Sequence, residues 1–388
     1  MENKKAHLDI KQYGMVLALI VIFLLFTILT KGKNATPTNI NNLIMQNGYV
    51  VILAVGMLLC VLTGNIDLGV GSIVALTGAT GAILVVDKGY PVVVAFLVAM
   101  IIGTLTGMFV GFFVSVLSIP PFIVTLATML MGRGLTYTVL KAQTKGPLPA
   151  DYTFVGAGFL PEIKMTAFGR TFDLLSIIVA IVISLLLIFF EVKSGRIRKK
   201  YGFAVVPLWQ TISKLAVMLL IIWFFFYKIS QDNGIPVVLV LMGILVVIYH
   251  FITTKTVAGR QIYALGGNAK AASLSGINTK KVFFWVYTNM GILCGIAGIV
   301  LSSRNASATP KAGDGFEMDA IASCYIGGAA TAGGIGTIFG AVVGAFIMGI
   351  LNNGMSLYGL STDIQKIVKG AVLLGAVTID LVSKRKKN

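Results

Sequence analysis

Acidic side chains are few in this chain. Of its 388 residues 14 are Asp or Glu, 31 are Lys or Arg, and charged residues of both signs reach only 12%, against about 25% in an ordinary soluble domain. So little charge cannot coat a water-facing surface, which excludes a soluble globular fold. Histidine is rarer still. His7 lies in the amino-terminal tail and His250 at the edge of an apolar run, where a polar-tipped interfacial residue is a simpler reading than a proton relay. Cys60, Cys294 and Cys324 form an odd, widely spaced set inside apolar stretches, neither a disulfide framework nor a metal-ligand spacing. Neither G-x-x-x-x-G-K-[ST] nor G-x-G-x-x-G occurs, so the chain lacks the loops whose amides cradle nucleotide phosphates and is not expected to hydrolyse ATP by itself. No catalytic, cofactor-binding or metal-binding residue is expected in it.

What is present is apolar: 57% of residues are hydrophobic and the mean hydropathy is +0.92. The 44 glycines and 23 phenylalanines follow no G-X-Y period, which fits close helix packing in lipid and excludes collagen. The formal net charge of +17 would suggest a nucleic-acid partner in a soluble protein, but these bases sit in short segments between apolar runs, so no nucleic acid is expected.

A bilayer-spanning helix takes roughly 20 mainly apolar residues. Runs of that kind cover 12–30, 34–66 (ending near Gly64) and 68–86. The first is closed by Lys31 and Lys33 with no small-residue cleavage site after it, and reads as an anchored helix rather than a cleavable signal. The charge-free stretch 89–132 is too long for one helix, and Ile119-Pro120-Pro121 divides it. Further spans are 174–190, 205–227 with Lys214 inside, 234–254 and 282–303; 320–362 needs two helices, and 364–381 is a weaker last one carrying Lys366, Lys369 and Asp380. The expected fold is an all-α polytopic integral membrane protein, a single transmembrane domain over 1–388, with about 12 crossings, some of them discontinuous.

Lys and Arg collect in cytoplasmic segments. Lys4, Lys5 and Lys11 stand before the first span; Lys193, Arg196, Arg198, Lys199 and Lys200 fill 191–202. Lys255, Arg260, Lys270, Lys280 and Lys281 fill 253–281, and Lys384, Arg385, Lys386 and Lys387 follow the last span. Even numbers of spans separate these segments, which places both termini, the basic loop 191–202 and the loop 253–281 in the cytoplasm. The long connection 141–173, where Asp151, Glu162 and Asp173 offset the bases, is placed outside.

Small residues at helical spacing, Gly103, Gly107 and Gly111, then Gly336, Gly340 and Gly344, let backbones approach closely. Static packing is the preferred reading over a sliding surface. Arg133 reads as a packed or snorkelling cation. Asp67, between two apolar spans, is costly unless it has a task. Around it, Gly64, Gly69 and Gly71 let a helix unwind, while Asn65, Asp67 and Ser72 can satisfy freed backbone groups. Capping and a place on a translocation path both remain open for Asp67, and Glu317 and Asp319 pose the same question further on. Asn352 and Asn353 complete the polar candidates for a path.

The loop 253–281 is more than a connector. Gly259, Arg260, Gly266 and Gly267 lead into Asn268, which can cap a short helix. Ala271, Ala272 and Ser275 make a small-residue face, and Gly276 before Ile277 can end it. Such a knob fits a groove in a partner.

At these two places the chain resembles the membrane subunit of bacterial ABC importers for monosaccharides, the ribose and xylose permease group related to branched-chain amino-acid permeases. The G-x-I-D-L-S-V-G-S pattern of that family stands as Gly64-Asn65-Ile66-Asp67-Leu68-Gly69-Val70-Gly71-Ser72, with Gly69 where serine is usual. Pro120, Phe122, Ile123, Thr125, Leu126, Met129, Arg133 and Gly134 match a second motif, and Gly327-Gly328, Gly333-Gly334, Gly336-Thr337, Gly340 and Asn352-Asn353-Gly354 a third. Three spans stand between the long connection 141–173 and the coupling loop, where ribose-type permeases have one, and in this the chain resembles the xylose-type permeases. The resemblance implies an inner-membrane permease working as two copies, an extracytoplasmic sugar-binding protein, and a separate ATPase subunit that holds ATP and magnesium. By the same resemblance Ala269 to Ile277 is the coupling helix that docks on the ATPase. An ion-coupled secondary transporter is the second expectation. An intramembrane enzyme is opposed by the absence of any Ser/His, Asp/Asp or H-E-x-x-H arrangement.

Overall fold

The computed structural model describes residues 10–167, 169–202 and 207–385. Lys4, Lys5, His7, Lys386, Lys387 and the first residues of the run beginning at 205 lie outside the described residues. The chain forms α1 (Ile10–Leu29), α2 (Pro37–Leu62), α3 (Val70–Val86), α4 (Val92–Ser115), α5 (Pro121–Val139) and α6 (Ala150–Ala157). A two-stranded hairpin follows, β1 (Lys164–Ala167) and β2 (Arg170–Asp173), antiparallel with Met165 opposite Phe172. Then come α7 (Leu174–Lys200), α8 (Leu208–Ser230), α9 (Val237–Lys255), α10 (Val257–Gly267), α11 (Ala269–Leu274), α12 (Thr279–Arg304), α13 (Phe316–Ile326), α14 (Ile338–Tyr358) and α15 (Thr362–Arg385).

Turn chemistry sets the boundaries. Pro37 and Pro121 each stand at the start of a helix, where the missing N–H costs nothing. Asp173, one of the acids of the connection 141–173 expected outside, is the N-cap of α7: its carboxylate accepts from Leu175 N at 3.3 Å and Ser176 N at 2.9 Å. Among the described residues eight helices, α2, α4, α5, α7, α8, α9, α12 and α14, are long and apolar enough to cross a membrane, and α3 and α1 offer shorter apolar helices. The chain is an all-α polytopic membrane protein.

Two expectations change. The stretch 320–362 holds one full helix, α14, and a half helix: α13 has 11 residues, a rise of about 16 Å against a hydrocarbon thickness near 30 Å. Between them 327–337 is irregular backbone: Gly328 at φ +82 closes α13, and Gly333 and Gly334 at φ +84 and +71 form a further turn. Residues 191–202 are a helical continuation of α7 as far as Lys200 rather than a loop. Its last turn carries Arg198, Lys199 and Lys200, cations that favour the negative end of the helix dipole. Lys214, inside α8, is answered by Glu191 on α7 at 2.9 Å.

The centre is built of α2, α12 and α14, buried over most of their lengths. Against α12 lies α4, with Gly103 and Gly107 facing the backbone of Tyr287 and Gly291 so closely that a Cβ would collide with carbonyl oxygens; the glycine row is a packing seam. Likewise α13 and α14 close on each other through Gly327, Gly340 and Gly344. Of the three helices between the hairpin and the loop 253–281, α9 packs on α2 and α14, whereas α7 and α8 pack mainly on each other and bury few of their residues, an apolar pair at the periphery.

The connections gather at two ends of the bundle. At one, Lys145 pairs with Asp87 at 2.9 Å, Lys145 and Ala308 bridge through their backbones, and Asn41 donates to Asp232 at 2.7 Å. At the other, Gly334 N donates to Leu62 O at 2.9 Å, beside α10 and α11.

Candidate functional site

The break between α2 and α3 is held by its own polar groups. Thr63 Oγ1 donates back to Cys60 O at 2.7 Å and Asn65 Nδ2 donates to Thr63 O at 3.3 Å. The Asp67 carboxylate, 2% exposed, accepts from Gly69 N at 2.8 Å, an Asx turn rather than a helix cap. Ser72 Oγ donates to Gly69 O at 2.8 Å. A Cβ at Gly69 would sit 3.2 Å from Asp67 Oδ1 and 3.3 Å from Thr125 O. The glycine that departs from the family pattern therefore belongs to a tight approach of α3 to α5. Arg133 on α5 donates to the carbonyls of Pro310 and Ala312, so it packs, as its type suggested, and ties α5 to the loop after α12.

A second polar cluster lies between α13, α14 and α15. Asp319 is 2% exposed; Lys369 Nζ stands 3.0 Å from its carboxylate oxygens and Asn352 Nδ2 3.4 Å from Oδ2. Burying a carboxylate is expensive without a cation and donors. Here they come from α15 and α14. Lys366, one turn earlier on α15, pairs with Asp314 at 3.0 Å, and this ammonium holds the exposed Asp314 carboxyl below its ordinary value. Asn353 faces elsewhere, exchanging hydrogen bonds with Asn39 at 3.0 and 3.2 Å and donating to Gln46 at 3.4 Å. Tyr49 stacks on Phe316 with ring centroids 4.1 Å apart.

Asp319 and Asn352 are thus brought together, while Asn65, Asp67 and Ser72 form a separate local unit and Asn353 a third. Lys369 is the member that reading the residues missed. Its signal was present: a lysine inside an apolar run needs a buried partner, and it stood only as a weakness of that span.

The third candidate is the segment after α9. Thr256 Oγ1 accepts from Gly259 N at 3.2 Å and starts α10, and Gly259 sits on the carbonyls of Ile252 and Thr253, folding α10 back against α9. Arg260 is exposed; Ile262 and Leu265 are buried. Asn268 Oδ1 accepts from Ala271 N at 2.9 Å, the cap its position promised. Gly276, at φ +85, donates to Ser273 O at 3.0 Å while Ile277 N donates to Ala272 O at 3.1 Å, a paired closure that only a left-handed residue allows.

One element of the expected knob is corrected. Ala272 does not face outward: it is buried, filling the space beneath the helix, while Ala271 and Ser275 are exposed. The outward apolar residue is Leu274, 83% exposed, which the small-residue pattern did not single out. Gly266 and Gly267 join α10 to this helix, and the cations nearby, Arg260, Lys270, Lys280 and Lys281, are all exposed.

Comparison with known proteins is consistent over nearly the whole chain. The family model "Branched-chain amino acid transport system / permease component" matches residues 39–377. The xylose transport system permease protein XylH of Haemophilus influenzae is 35% identical over 383 residues, covering 99% of both chains. That of Escherichia coli K12 is 36% identical, covering 98% of this chain and 94% of the relative. The ribose import permease protein RbsC of Escherichia coli K12 is 34% identical over 95% of this chain and 93% of its own. No solved structure matches. With a broken α2–α3 crossing, a half helix before α14 and a match from residue 39 to residue 377, the chain belongs to the branched-chain amino acid transport system permease component family, in its ribose and xylose permease group.

Proposed function

We propose that this chain is the membrane-spanning permease subunit of an ATP-driven, binding-protein-dependent importer of monosaccharides, xylose-like pentoses or related sugars. The observation that carries the reading is α11, a helix capped at both ends and presented at one end of the bundle with Leu274 outward, on a chain whose relatives are xylose and ribose permeases. Two copies form the path in a bacterial inner membrane, with about 12 crossings each and both termini cytoplasmic. The ATPase subunit holds ATP and magnesium, and an extracytoplasmic protein delivers the sugar.

Within this reading the segment from Gly259 to Ile277 couples to the ATPase. The Asp67 break and the Asp319–Asn352–Lys369 cluster are the polar candidates along the path. Ion coupling is disfavoured at Asp319, because a carboxylate already answered by Lys369 at 3.0 Å is a poor site for a driving proton or sodium ion. The test is uptake of labelled pentose into proteoliposomes holding the permease, the ATPase subunit and the binding protein. Uptake should require all three and ATP. Uptake that persists without the ATPase and follows a proton gradient would falsify the proposal.

A further inference from the structure

At the end of α10 three stretches of backbone touch with no side chain between them. Gly266 lies against the carbonyl oxygen of Leu62, the last residue of α2, so that a Cβ there would strike this oxygen and Gly334 N. From the third side comes the turn between α13 and α14: Gly334 N donates to Leu62 O at 2.9 Å, and Gly333 faces Gly64 N and Gly266 O. One side chain spans the same gap. Tyr263 on α10 donates its hydroxyl to Gly336 O at 2.7 Å.

We infer that this junction is the transmission between the docking helix and the path, and that Tyr263 is its positioning residue. The inference rests on the reading of α11 as the ATPase-docking helix. Only Asn268 separates α11 from α10, and α10 is anchored along its length by buried Ile262 and Leu265 and by Gly259 against α9, so the pair moves as a lever. Where backbones touch directly, no rotamer can absorb a displacement. A shift of α10 toward the bundle therefore pushes Leu62 and the Gly333–Gly334 turn. Contact can push but not pull, and the Tyr263 hydrogen bond draws the turn back when α10 retreats. Both driven elements lead to candidate path residues: Leu62 stands just before the Asn65–Ser72 break, and the turn joins α13, which carries Asp319, to α14, which carries Asn352.

The complete transporter, permease with ATPase subunit and binding protein in liposomes, reads sugar uptake and ATP hydrolysis side by side. Tyr263→Phe keeps the ring and removes the donor. Assembly with the ATPase subunit should be unchanged, while the stimulation of hydrolysis by the sugar-loaded binding protein and the sugar carried per ATP both fall about fivefold, the equivalent of one ordinary hydrogen bond. Gly334→Ala, whose Cβ would meet Gly267 N, should show the same split. Unchanged stimulation and uptake in Tyr263→Phe overturn the transmission, and so does a matching loss of assembled complex, which marks a merely structural role. Absence of stimulated hydrolysis in the unaltered protein is a separate outcome: it overturns the docking reading itself.

Discussion

Lys369 and Asp319 form an ion pair at 3.0 Å across two helices, with the carboxylate 2% exposed and the lysine side chain 25% exposed. The pair joins α15, the least apolar of the long helices, to the half helix α13, and Asn352 from α14 closes the third side. Neither charge would be tolerated alone at this depth in the bundle. Their union explains how a helix with lysines in its apolar run finds a place in the fold.

Removing one member should therefore be worse than removing both. Lys369→Met leaves a buried carboxylate unpaired and should destabilise the detergent-solubilised protein by about 3 kcal/mol. The double variant Lys369→Met with Asp319→Asn should recover part of that loss. Thermal unfolding of the three proteins decides it; a double variant no more stable than Lys369→Met would show that the two residues are not energetically coupled.

Asp67 can be separated from its turn. Asparagine keeps an oxygen able to accept from Gly69 N, so Asp67→Asn should insert at near-normal levels yet transport poorly if the charge serves the path. Asp67→Ala loses the turn and should lower expression as well. Equal expression and equal transport in Asp67→Asn would leave the residue with a structural task only.

The helix α11, for which docking on an ATPase subunit is proposed, offers a graded series. Asn268→Ala removes a cap worth about 1 kcal/mol and should weaken coupling modestly. Gly276→Pro forbids the left-handed φ of +85 and should abolish sugar-stimulated hydrolysis with the permease still in the membrane. Leu274→Asp should reduce co-purification of the ATPase subunit without changing permease yield. Normal uptake in the proline variant would remove α11 from the interface.

Glycines in the α4–α12 seam should be intolerant in proportion to their surroundings. Gly107→Leu drives a side chain into the carbonyls of Tyr287 and Thr288 and should cost more than the about 1–3 kcal/mol typical of overpacking, seen as loss of monodisperse protein. Gly134→Ala, with open space around it, should behave as the unaltered chain. Similar yields for the two would argue that α4 and α12 are not packed this closely.

Much of the architecture was legible without coordinates because it depends on neighbours a few residues apart. Apolar run length placed α2, α4, α5, α7, α8, α9 and α12; Pro120-Pro121 divided two helices; Asn268 and Gly276 bounded α11. Capping, proline geometry and hydropathy act over one or two turns, and a linear reading captures them. The same local logic failed where helix length hung on packing, as with α13, which stops at Ile326 in a glycine-rich turn pressed against Leu62 and Gly266.

By itself, then, the amino-acid order determined that the protein lives in lipid, roughly where it crosses, where its helices break, and that a capped helix stands between α10 and α12. Only the tertiary structure decided which polar groups meet: Lys369 with Asp319 across 50 residues, Gly334 with Leu62, Tyr263 with Gly336, and Ala272 facing inward beneath Leu274. The reason is that such pairings are set by how helices rotate and approach in three dimensions. That rotation follows from the sum of many small packing contacts, none of which is written in a neighbour's identity.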